Sequence, residues 1–136
     1  MSATAAALLG YVAWTIALVM GVGVYRAVLV TTAGRAANSF SASGDDLEGF
    51  GRRLTRAHAN CYENLPAVAA VLLYAIASGQ TGVTDALAYP LLAARLAQST
   101  VHAMSTSRPF VMIRFGFYFV QIVILLIWLA RLSGIA

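Results

Sequence analysis

No charge falls in the first 25 residues of the chain. The run from Ala5 to Tyr25 is long enough to cross a bilayer as a helix, which takes roughly 20 apolar residues. Polar residues then crowd into 26–55. Within that stretch Asn38-Ser-Phe-Ser-Ala-Ser-Gly-Asp-Asp46 has the composition of a loop. Asp45 and Asp46 stand where they would cap a short helix leading toward Arg52 and Arg53. Apolar residues resume in a second helix, expected over 56–78, with Pro66 kinking it or closing its first turns. Gly79-Gln-Thr-Gly82 reads as a turn. A third helix is expected over 84–104, with Pro90 near its start and Arg95 inside, and Ser105-Thr-Ser-Arg-Pro109 reads as a second turn. The fourth helix, over 110–132, has a charge-free centre from Phe115 to Ala130, and Arg114 and Arg131 have stems that let their charges reach the membrane edge. The pattern predicts an all-α fold: four transmembrane helices in an antiparallel bundle, forming one domain over 1–136.

Composition agrees. The chain is 60% hydrophobic and only 10% charged, against about 25% charged in soluble domains. So few charges do not cover a water-facing surface. All nine basic residues are arginine, and the net charge is +4. They are scattered between apolar runs with no dense basic tract, which argues against nucleic acid as a partner and for lipids. Their distribution sets an expected orientation. The first connection, 26–55, holds Arg26, Arg35, Arg52 and Arg53 and runs up to Arg56. The connection 105–109 and the turns after it hold Arg108 and Arg114. Both should face the cytoplasm, with both termini on the far side. The lysine-free, Ala- and Arg-rich composition suggests a GC-rich bacterial genome, and so an inner membrane. The N-terminus has no basic residue before Arg26, so the first helix reads as retained and not as a cleaved signal. One cysteine, Cys61, excludes an intrachain disulfide.

Within the helices the polar positions fall into three stripes. Arg56, Asn60 and Glu63 are spaced i, i+4, i+7 and share one face of helix two, with Arg52 one turn earlier. Arg95, Gln98 and His102 share a face of helix three. Arg114, Tyr118 and Gln121 share a face of helix four. A charge at membrane depth costs about 2.5–3.5 kcal/mol on insertion scales, so it is expected to pair or to line a wet cavity. Three arginine-bearing stripes at one membrane face predict a cationic pocket suited to a carboxylate ligand. The other reading is an ion pair that staples the bundle. For Arg95 the expected partner is Glu63, since Asp85 belongs to the far-side turn. His58 and His102 lie on different helices with no carboxylate cluster nearby, so no metal is expected. Cys61 reads as packing, not as a nucleophile.

The stretch Arg56-Ala-His-Ala-Asn-Cys-Tyr-Glu-Asn-Leu-Pro66 resembles the R-A-H-x-N-x-x-E-x-x-P signature of the MAPEG family, the membrane-associated proteins in eicosanoid and glutathione metabolism. The resemblance extends over nearly the whole chain. It implies a homotrimer that holds glutathione between neighbouring subunits near the cytoplasmic face, with its carboxylates on arginines. On that resemblance Arg56, Asn60 and Glu63 fall on the family's glutathione contacts of helix two, and Arg95 on its helix three arginine. Gln98 falls where relatives often carry His or Tyr, and His102 where they usually carry Tyr. Arg114, with Tyr118 beside it, looks like the arginine that stabilises the glutathione thiolate, with Arg108 as a rival. Arg26 or Arg35 looks like the arginine at the end of helix one. The implied activity is a glutathione-dependent transferase or peroxidase acting on lipophilic electrophiles or lipid hydroperoxides, which would enter from the bilayer between helices one and four. The alternative is a non-catalytic protein of the same fold that binds another thiol, a partner protein or no thiol.

Overall fold

The computed structural model describes residues 1–135. Four helices follow one another: α1 (Ala3–Ala33), α2 (Gly49–Ala77), α3 (Thr81–Met104) and α4 (Arg108–Leu132). The four expected helices are all present, and no strand occurs among the described residues. In the bundle α1 packs on α2 and α3, and α3 packs on α4. The α2 and α4 helices meet only sparsely, and α1 and α4 do not touch.

The helices are longer than the apolar runs, and the first connection is correspondingly shorter. With 31 residues at 1.5 Å per residue, α1 is about 46 Å long and outreaches a hydrocarbon core of about 30 Å. Its last turns carry Arg26 and end at Gly34, whose φ of 63° makes a left-handed C-terminal cap. Likewise α2 starts at Gly49, seven residues before Arg56, so Arg52, Arg53 and Arg56 are helical and held in a fixed geometry. Pro66 and Pro90 sit inside α2 and α3 without ending them.

The loop between α1 and α2 is tied down by its own side chains. Asp46 forms an ion pair with Arg35 and accepts the Ser41 amide at 3.0 Å. The Phe40 ring lies under the guanidinium of Arg35, 4.2 Å from its centre, and of Arg26, at 5.4 Å. The expected cap by Asp45 or Asp46 is not what forms. The α2 N-cap is Glu48, without a side-chain hydrogen bond. Asp46 is used within the loop instead, and Asp45 reaches Arg52 at 3.4 Å.

The exterior is apolar. Among the described residues only α1 and α4 are long and apolar enough to cross a membrane by themselves, with mean hydropathies of 2.0 and 2.3. Just 11% of the α4 span is buried, so Phe115, Phe119, Leu126 and Leu129 face outward. A soluble core helix would turn that face inward. The arginines on α2 and α3 lower their hydropathy. Inside, Ala7, Ala57, Ala75 and Ala88 are 0–1% exposed, and such small residues let helix backbones approach closely. At the far end Asp85 accepts from the Thr4 amide at 2.8 Å and the Thr4 hydroxyl at 2.6 Å, which latches α1 to α3.

Gly44 has a φ of +74°, and a Cβ there would lie 2.8 Å from the Cβ of Thr55, a buried residue of α2. Gly44→Ala therefore combines backbone strain with overpacking. We expect it to lose about 1–3 kcal/mol of stability. Thermal unfolding in detergent would measure this, and an unchanged transition would show that the loop is not packed on α2.

Candidate functional site

The polar stripes of three helices converge at the end of the bundle that carries the α1–α2 loop and the α3–α4 turn. A cavity of about 740 Å³ opens there. Its walls are Arg52, Arg53 and Arg56 of α2, His102 in the last turn of α3, and Arg114 of α4. Asp45 and Glu48 also line it, so four arginines outnumber two carboxylates. Arg52 spends part of its charge on Asp45, but the two side chains are 58% and 65% exposed, and such pairs contribute little. The Nε of Arg53 donates to the Ala103 carbonyl at 2.9 Å. Arg56 and Arg114 pair with no carboxylate among the described residues. Two uncommitted guanidiniums on facing helices make the cavity a receptor for anions.

A smaller cavity of about 220 Å³ lies next to it, lined by Asn60, Gln98, Val111, Arg114, Phe115 and Tyr118. Arg114 belongs to both spaces. The two together therefore join a cationic chamber to a cleft that has amide groups on one wall and aromatic rings on the other.

Behind this cleft lies a buried polar network. Arg95 is 1% exposed and donates through one terminal nitrogen to Asn60 Oδ1 at 2.9 Å. Gln98 Nε2 donates to the same oxygen at 3.1 Å. Gln121 Nε2 donates to Gln98 Oε1 at 2.8 Å and to the Phe117 carbonyl at 2.9 Å. The Arg95 guanidinium also lies over the Tyr11 ring, 5.3 Å from its centre. Four side chains on α2, α3 and α4 thus form one hydrogen-bonded cluster at the centre of the bundle.

Of the residues singled out from sequence, Arg56, His102 and Arg114 come together in the larger cavity, and Asn60, Gln98, Tyr118 and Arg114 in the smaller one. Others do not join them. Arg95 sits behind Asn60 and lines neither space. The expected pair with Glu63 does not form. Glu63 is exposed and takes part in no ion pair. Asn60 faces α3, while Glu63 lies 60° further around α2. Arg26 is also elsewhere: it donates to the Ser41 carbonyl at 2.8 Å and holds the loop. Arg108 lines neither cavity.

Arg53, Asp45, Glu48 and Thr106 enter the lining although their spacing gave no hint of it. The first three do so because α2 begins earlier than its apolar run and brings the loop with it, and Thr106 enters from the turn between α3 and α4. Cys61 is fully buried with its sulfur 3.2 Å from the Thr15 hydroxyl, as packing requires. No group of three His, Cys, Asp or Glu gathers among the described residues.

Four helices with an apolar exterior and an arginine-lined chamber at one end define a membrane-embedded helical bundle. The sequence pattern of the MAPEG family matches residues 4–133, and the chain belongs to that family. No curated protein and no solved structure matches it.

Gln98 Oε1 takes its hydrogen bond from Gln121, and both side chains are at least 96% buried. Gln121→Leu strips that acceptor of its donor, so we expect a loss of about 1–3 kcal/mol. Thermal unfolding in detergent reports it. A neutral result would mean that water replaces the amide.

Proposed function

We propose that the protein is an integral membrane glutathione-dependent transferase or peroxidase acting on lipophilic electrophiles or lipid hydroperoxides. The observation that carries this reading is the placement of Arg114, whose guanidinium has no carboxylate partner and lines both cavities. A ligand with carboxylates and a thiol fits this lining. Arg52 and Arg56 offer bidentate donors to carboxylates. His102, Asn60 and Gln98 offer neutral hydrogen bonds. Arg114 and Tyr118 flank the cleft where the sulfur would lie.

Glutathione supplies a thiol whose anion adds to an electrophilic carbon or reduces a hydroperoxide. The chain's own contribution is electrostatic. An ordinary thiol has a pKa of about 8.5, so little of it is ionised at neutral pH. A neighbouring guanidinium favours the ionised form. Arg114 has no carboxylate partner among the described residues to neutralise it. Tyr118, one turn further along α4, donates a second hydrogen bond to the same charge. Phe115 and Val111 keep the cleft apolar around it, which strengthens both interactions. The arginine distribution favours a cytoplasmic location for this end, where a soluble thiol is at hand. All four helices would span, probing of the connections from either side being the check. In a homotrimer, neighbouring copies would cover the exposed helix faces, and Glu63 and Arg26 would contribute only from such an arrangement.

Glutathione in excess of purified protein at neutral pH should give a thiolate absorbance that saturates at one site or fewer per chain. Arg114→Ala should abolish it and slow conjugation of a lipophilic electrophile about a hundredfold. No thiolate signal, or the same signal in Arg114→Ala, would overturn the catalytic role. Calorimetry separates the non-catalytic reading. Binding that weakens about tenfold or more in Arg56→Ala, without any thiolate, would leave a binding protein that does no chemistry.

A further inference from the structure

Among the described residues Arg95 is the one charged side chain in the buried core, and no carboxylate answers it. A guanidinium only donates hydrogen bonds. Because Arg95 donates to Asn60 Oδ1 at 2.9 Å, that end of the Asn60 amide must be the oxygen. Gln98 Nε2 donates to the same atom at 3.1 Å, so both of its lone pairs are used. With its nitrogen spent on Asn60, Gln98 must offer its oxygen to Gln121, whose nitrogen is 2.8 Å away. The polarity of all three amides is fixed by the one member that has no acceptor to offer.

The amide is planar, so the Nδ2 of Asn60 lies opposite the oxygen. It donates to nothing among the described residues and is not one of the sealed, unpartnered polar atoms of the bundle. Asn60 lines the smaller cavity beside Arg114 and Tyr118.

We infer that Arg95 is a positioning residue that locks Asn60 with its amide N–H toward the cavity, so that this wall selects a ligand group that accepts hydrogen bonds. A carboxylate, a carbonyl or a thiolate meets that requirement, and an ammonium does not. The inference rests on the proposed function only for the identity of the ligand. A carboxylate at position 60 would satisfy Arg95 better than an amide does. It would also turn an acceptor and a negative charge toward the cavity. The arrangement thus gives up stability for the sense of one hydrogen bond.

The lock is tested without ligand. Asn60→Asp should raise the melting temperature in detergent, because the buried guanidinium gains a carboxylate. In an Arg95→Gln background the same change should lower it, because position 95 then holds no cation. A fall in both backgrounds overturns the lock. If Arg95→Gln fails to fold, Arg95→Lys keeps a donor-only cation, and loss of the rise in that background overturns the lock equally. In glutathione titrations, Asn60→Asp and Arg95→Gln should each weaken binding about tenfold or more. Asn60→Asp that is more stable and still binds glutathione as the unaltered chain does would overturn the selection of an acceptor. Absence of glutathione binding by the unaltered chain would remove the functional reading, and the ligand-free cycle would still uphold or overturn the lock.

Discussion

A guanidinium held in the middle of an apolar bundle, without a counter-charge, constrains everything around it. Arg95 must find oxygen atoms, and it finds them on Asn60. The Tyr11 ring adds the negative face of its π system. Satisfying Arg95 therefore draws α1 and α2 in against α3, and the amides of Gln98 and Gln121 carry the same network to α4. A four-helix bundle in lipid has no hydrophobic effect to drive its helices together and relies on packing and on bonds of this kind. The polar cluster gives the helices a register that apolar packing alone would leave loose.

The chamber depends on that register. Arg56 and Arg114 stand on helices that meet only sparsely, and their approach is set by what lies between them, α3 with Gln98 and His102. Each unpaired guanidinium would repel the other in a bare cavity. The chamber is wide and open to water, which screens that repulsion and leaves both free to engage an anion.

The helix bodies were legible because long charge-free runs have few alternatives. The stripes were legible as well: Arg56, His102 and Arg114 reach one cavity, and Asn60, Gln98, Arg114 and Tyr118 reach the other. Helix ends were not. Arg26 and Arg52 lie in polar sequence, yet both are helical, since helices continue past the membrane where water can solvate their side chains. The Arg95 partner was misread for a different reason. Opposite charge suggested Glu63, but Glu63 lies on an exposed face of α2, and Asn60, which faces α3, supplied the oxygen. The clamp of Arg26 and Arg35 on Phe40 had no sequence signal either, because it depends on how a loop folds back.

The attachment of α4 has a mechanical consequence. It is fastened along one edge, to α3, touches α2 sparsely and α1 not at all. The residue at the junction of the two cavities, Arg114, is therefore carried on the leaf of the bundle with the fewest restraints. A small swing of α4 about its seam with α3 would change the gap between Arg114 and the arginines of α2 that share its chamber. The width of the site, and the position of its free charge, are set by whatever presses on the outer face of that one helix.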